Sequence, residues 1–193
     1  MRERIPRAGV RAALECAGRI AILLLLGVGA DGVAAQPSAP KSPCGAPEFH
    51  QFDFWIGDWD VADANGKQIG RNRITAVQKG CALAEQWEGK GGVSGTSLNA
   101  WDAERKRWHQ TWIDNSGGLL LLDGGLVDGR MVLSGTANDA SGRQARQRIT
   151  WQKLSDGRVR QTWESSADGG ATWTVAFDGY YSPRGSIFHV PLL

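Results

Sequence analysis

From Trp59 to Tyr181 the chain is broken into short runs by turn-forming pairs, and that punctuation limits its folds more than any other feature. The pairs fall at Asn65-Gly66, Lys79-Gly80, Gly91-Gly92, Gly117-Gly118, Asp123-Gly124, Asp128-Gly129, Ser141-Gly142, Asp156-Gly157 and Asp168-Gly169-Gly170. Between them, segments rich in Trp, Val, Ile and Thr alternate apolar with polar residues, the signature of strands. The pattern predicts strands near 59–64, 68–78, 81–88, 93–101, 107–113, 118–122, 130–135, 145–153, 157–165 and 171–181. The connections are too short for crossover helices, so neighbouring strands must pair antiparallel. A meander this long loses its edges most simply by closing on itself. The expected fold is therefore all-β, an antiparallel up-and-down barrel of about ten strands.

Before the strands comes one short helix. Pro47 suits a first helical turn, Phe49, Phe52 and Ile56 recur at helical spacing, and Gly57 can end it. This segment carries the aromatic cluster Phe52-Asp53-Phe54-Trp55-Ile56-Gly57-Asp58-Trp59.

Residues 1–35 read as a signal peptide. Arg2, Arg4, Arg7, Arg11 and Arg19 form a basic region, Ile20 to Val28 an apolar one, and Val33-Ala34-Ala35 a cleavage site. The apolar run is short of the ~20 residues that span a bilayer, so no stable membrane insertion is expected. Cys16 precedes the apolar run, which disfavours a lipid anchor there, and the absence of a twin-Arg pair points to ordinary Sec export. The expected location is periplasmic or secreted. Residues 36–48, rich in Pro, Ser and Ala, read as a flexible tether, and 49–193 as the barrel domain.

Removing the leader changes the charge balance. The chain has 22 Lys+Arg and 20 Asp+Glu; the leader holds 5 Arg and 3 acids, leaving 17 of each sign. A neutral chain with interspersed signs offers no basic face for nucleic acid. Two cysteines survive, Cys44 and Cys81. An even count in an exported protein points to a disulfide, ahead of two free thiols or half a metal site.

Three predicted strands repeat one arrangement. Glu85 with Trp87, Gln110 with Trp112, and Gln161 with Trp163 each set a hydrogen-bonding group two residues before a large aromatic, hence on one face. Facing inward, they would line an aromatic cavity with a few polar anchors, the composition of a small-molecule site. Facing inward without a cavity, they would simply fill the core. Arg148 is a further candidate, for a ligand carboxylate, although strand arginines commonly pair outward with acids such as Glu164. A sequence echo links Arg73-Ile74-Thr75 and Glu85-Gln86-Trp87 to Arg148-Ile149-Thr150 and Gln161-Thr162-Trp163, suggesting similar hairpins.

His50, His109 and His189 have no metal-binding spacing, and no metal site is expected. His109 alternates with Gln110 and Trp112, so it faces away from them. No nucleophile elbow, Cys-His pair or phosphate loop is present. Ser166-Ala167-Asp168-Gly169-Gly170-Ala171-Thr172-Trp173 matches the Asp-box hairpin of sialidase-type propellers, but one copy cannot build a propeller and the motif reads as a structural turn.

The segments FDFWIGDWDV at 52–61, GCALAEQWEG at 80–89, RWHQTWIDNSGG at 107–118 and VRQTWESSADGGATW at 159–173 together resemble a group of bacterial exported proteins with a lipocalin-like (calycin) barrel. The resemblance implies that Trp59 packs at a closed barrel end, under an Arg near the last strand, a place Arg184 could fill. The second lipocalin motif, a Thr-Asp-Tyr-type loop, is missing. Three readings follow. The first is an exported barrel, without a cofactor, that holds a small apolar or aromatic ligand. The second is a barrel enzyme, either an isomerase or cyclase using Glu85 as acid or base, or a haem barrel resembling nitrobindins with His189 as ligand. The third is an extracytoplasmic module that binds glycans or protein through an exposed aromatic patch.

Overall fold

The structure, a computed structural model, describes residues 43–138 and 142–185. The leader, most of the tether and His189 lie outside the described residues. Ten strands follow one another: β1 (Gly57–Ala62), β2 (Gln68–Val77), β3 (Ala82–Gly89), β4 (Ser94–Asp102), β5 (Arg107–Asp114), β6 (Leu119–Val127), β7 (Arg130–Asn138), β8 (Gln144–Lys153), β9 (Val159–Ser166) and β10 (Thr174–Pro183). Each pairs antiparallel with the next, and β10 returns to pair with β1, so the barrel is closed and has no free edge.

The expected strands are all present. One expected turn is not. β6 runs straight through Asp123-Gly124, and Gly124 lies so close to β7 that a Cβ there would collide with the carbonyl of Val132. That glycine permits a close backbone approach, which in sequence reads the same as a turn. The echoed hairpins β2–β3 and β8–β9 both form, but their registers differ by two residues: Ile74 faces Glu85, whereas Ile149 faces Trp163.

The expected helix is two separate 3₁₀ turns, Pro47–His50 and Asp53–Trp55. They close through Phe49 N–H to Ala46 O and Trp55 N–H to Phe52 O. The tight turns rotate Phe52 and Trp55 together into one end of the barrel. There Phe52 stacks on Trp55 at 4.9 Å and meets Trp108 and Trp151 edge-on. Trp59 donates its indole N–H to Trp55 O, which fixes the first strand under this plug. Phe52 and Trp55 are fully buried. Arg184 joins β1 through its backbone N–H to Asp58 O and shares a surface depression with Trp59.

A disulfide joins Cys44 to Cys81, the residue at the β2–β3 connection of that same end. The chain is thus held from Cys44 onward, within the segment expected to be a free tether. Such a bond belongs to an oxidising, non-cytoplasmic compartment. Among the described residues no helix is long and apolar enough to cross a membrane.

Candidate functional site

The odd-numbered strands all run from the plugged end toward the opposite end. The repeated polar-x-Trp pattern therefore stacks into layers. Leu83, Trp108 and Val159 lie deepest, against the plug, and all are buried. Glu85, Gln110 and Gln161 form a polar belt one step up, and Trp87, Trp112 and Trp163 an aromatic rim above it. All six of these predicted residues line one cavity of about 410 Å³. Phe177, Ile149, Leu120 and Trp151 add to its walls, and at the mouth lie Gly91 and Val93 of the β3–β4 connection and Ala176 near the start of β10.

The rim aromatics are held flat by glycines on neighbouring strands. A Cβ at Gly70 would collide with the Trp87 ring, one at Gly95 with Trp112, and one at Gly179 with Phe177. Trp87 and Phe177 meet edge-on at 5.8 Å. The indole N–H of Trp163 donates to Gln147 Oε1 at 2.7 Å.

The belt is a directed hydrogen-bond network. Asn72 Nδ2 donates to Glu85 Oε1 at 2.7 Å and Ser97 Oγ donates to Oε2 at 2.6 Å. Asn99 Nδ2 donates to Ser97 Oγ at 2.9 Å, and Gln110 Nε2 donates to Asn99 Oδ1 at 2.8 Å. With its amide nitrogen engaged, Gln110 keeps its carbonyl as an acceptor. Gln161 is set the other way. Its Oε1 accepts from the Trp151 indole and from the Tyr181 hydroxyl, and an indole N–H can only donate. The amide nitrogen of Gln161 therefore remains a donor at the cavity wall.

Among the described residues, Glu85 is the only acidic or basic side chain on this wall. It is fully buried, and burial pushes its carboxyl up to about 7, partly offset by the donors Ser97 and Asn72. Tyr181 is also fully buried; desolvation and the nearby Glu85 charge hold its phenol well above the usual tyrosine range. Asn72 Oδ1 is buried with no hydrogen-bond partner among the described residues. Half a turn of that amide would offer an acceptor to a protonated Glu85.

Arg148 is not part of this site. It lies on the outer face of β8, donates to Glu164 at 2.9–3.0 Å and stacks over Trp173 at 4.0 Å. Alternation along β8 turns Gln147 and Ile149 inward instead, so an interior carboxylate cannot meet Arg148. His109 also faces outward, bonded to Asp123 and Thr111. Among the described residues no cluster of His, Cys, Asp and Glu could hold a metal ion.

The Asp-box motif forms its turn. Asp168 accepts from Ser166, Thr172 N–H and Thr172 Oγ1, which holds its carboxyl far below the usual range, and Trp173 donates to Gly170 O. The turn joins β9 to β10 beside the mouth. Among the described residues no Trp, Phe or Tyr is exposed; the exposed large apolar side chains are aliphatic, such as Leu98 and Leu121.

Sequence reasoning missed Asn72, Ser97, Asn99 and Tyr181. Their signal was period-two alternation on the even strands, with polar residues rather than apolar ones at the inward positions. No protein-family model matches the chain, and no curated protein matches it.

Proposed function

We propose that this is an exported lipocalin-like barrel that binds one small, neutral, largely aromatic molecule in its interior. The observation that carries the reading is the layered cavity: a tryptophan rim above a belt of fixed hydrogen-bonding groups. Pockets for small ligands combine apolar walls with a few placed polar groups. Gln161 supplies a donor and Gln110 an acceptor, so a ligand with one carbonyl or hydroxyl group suits the belt. A carboxylate ligand does not, because Glu85 is there and no cation among the described residues faces the cavity. The Cys44–Cys81 bond supports export. Among the described residues, the surface-interaction reading finds no exposed aromatic patch to support it.

The test uses full-length protein recovered from the export compartment under gentle conditions. Native mass spectrometry reads any retained molecule directly. Titration with N-phenyl-1-naphthylamine, a neutral aromatic fluorophore, then reads the cavity through energy transfer from the tryptophans. We expect one site per chain, weakened roughly tenfold by Trp112→Ala, the loss of one aromatic wall. No retained mass and no fluorophore binding would reject the reading.

A further inference from the structure

The cavity wall holds a reactive group that a passive carrier does not need. Glu85 is a carboxyl in an aromatic pocket, held by two neutral donors and facing no cation among the described residues. The titratable or polar groups packed around it are Asn72 on β2, Ser97 on β4 and Tyr181 on β10. Such a carboxylate is poorly solvated, and its basicity is raised for proton abstraction. Beside it, Tyr181 donates to Gln161 Oε1, polarising an amide whose N–H is offered to the cavity. That pairs a base with a neutral donor for developing negative charge on oxygen. The described cavity wall offers no Ser-His, Cys or Lys nucleophile. One group that takes a proton and returns it fits intramolecular proton transfer better than group transfer.

Resting on the cavity reading above, we propose that the protein is a proton-transfer isomerase of small neutral aryl ketones, with Glu85 as the catalytic base and acid. The Glu85 carboxylate takes a proton from the carbon between carbonyl and alkene of a β,γ-unsaturated ketone. The C–H electron pair moves into the carbonyl, giving a dienolate whose oxygen accepts from the Gln161 amide. The protonated Glu85 then delivers the same proton to the terminal alkene carbon, forming the conjugated ketone and restoring the carboxylate. No co-reactant is consumed.

The probe is 1-phenylbut-3-en-1-one with the full-length protein, followed by the ultraviolet absorbance of the conjugated product and by NMR in deuterated water. We expect isomerisation by the wild type, with a rate about 10²–10⁴-fold lower in Glu85→Gln, the usual worth of a positioned acid–base. The same variant should keep its affinity for N-phenyl-1-naphthylamine, which separates lost chemistry from a lost fold. If Glu85→Gln does not fold, the wild type alone decides, through exchange of the ketone's α-protons with solvent deuterium. Wild-type protein that binds the ketone, by quenching of its tryptophans, yet neither isomerises nor exchanges it would overturn the isomerase and leave the carrier standing. Failure to bind either probe rejects the cavity reading and the isomerase with it. Equal rates in wild type and Glu85→Gln would also overturn the assignment.

Discussion

Glu85 sets the behaviour of the molecule between mild acid and neutrality. Its carboxyl titrates at about 7 in the folded barrel, against an ordinary 4.5. Between those values the native state keeps a proton that the unfolded chain has released. Stability is therefore greatest below about pH 4.5 with respect to this group, falls as pH rises to about 7, and is flat above. The full difference corresponds to about 3 kcal/mol. Urea midpoints measured from pH 5 to pH 8 should decline accordingly in the wild type, and Glu85→Gln should flatten the curve. A wild-type profile that is flat or rises across this window would mean that the carboxyl is hydrated or otherwise compensated. The same titration should appear in the isomerase rate with the opposite slope, since the base works only when ionised.

Among the elements, β3, β5 and β9 were legible as strands that set a polar group and a large aromatic on one face; which face turns inward was not, and the structure turns the tryptophan faces in. β4 was not legible. Its inward positions are Ser97 and Asn99, both buried, while the outward Leu98 is 60 % exposed. The usual rule would turn Leu98 inward; the belt's hydrogen bonds reverse it, because Glu85 needs Ser97 more than the core needs a leucine. Likewise Gly124 mimicked a turn because close approach and tight turning both demand glycine. The glycines beneath the rim were invisible for the same reason. Replacing Gly95 with Ala pushes a methyl into the Trp112 ring. We expect a loss of about 1–3 kcal/mol from overpacking, read by chemical denaturation, together with weaker fluorophore binding as Trp112 is displaced. Unchanged affinity would show that the rim tryptophans are not the walls that matter.

At the scale of the whole molecule, the up-and-down order followed from short connections, closure from the need of a long meander to lose its edges, and the disulfide from the count of cysteines surviving cleavage. The plug did not follow. Phe52 and Trp55 were legible as an aromatic cluster, but their insertion into the barrel end depends on two tight turns that look like one helix in sequence. The Cys44–Cys81 bond closes a sequence separation of 37 residues. In the chain-entropy model a loop of that size is worth ~4 kcal/mol. The double variant Cys44→Ser, Cys81→Ser should lose about 2–4 kcal/mol, measured by denaturant unfolding, while fluorophore affinity at the far end stays within a factor of about two. A large loss of affinity would mean that plug and cavity are coupled through the barrel.

The plug has a kinetic consequence. With Phe52 and Trp55 seated among Trp108 and Trp151, the described residues close one end of the barrel and leave one door, between the rim tryptophans. A vessel with one door does not pass its contents through. Whatever occupies it must back out before a successor steps in, so turnover of the occupant is timed by departure, and a crowd of newcomers outside does nothing to hurry it.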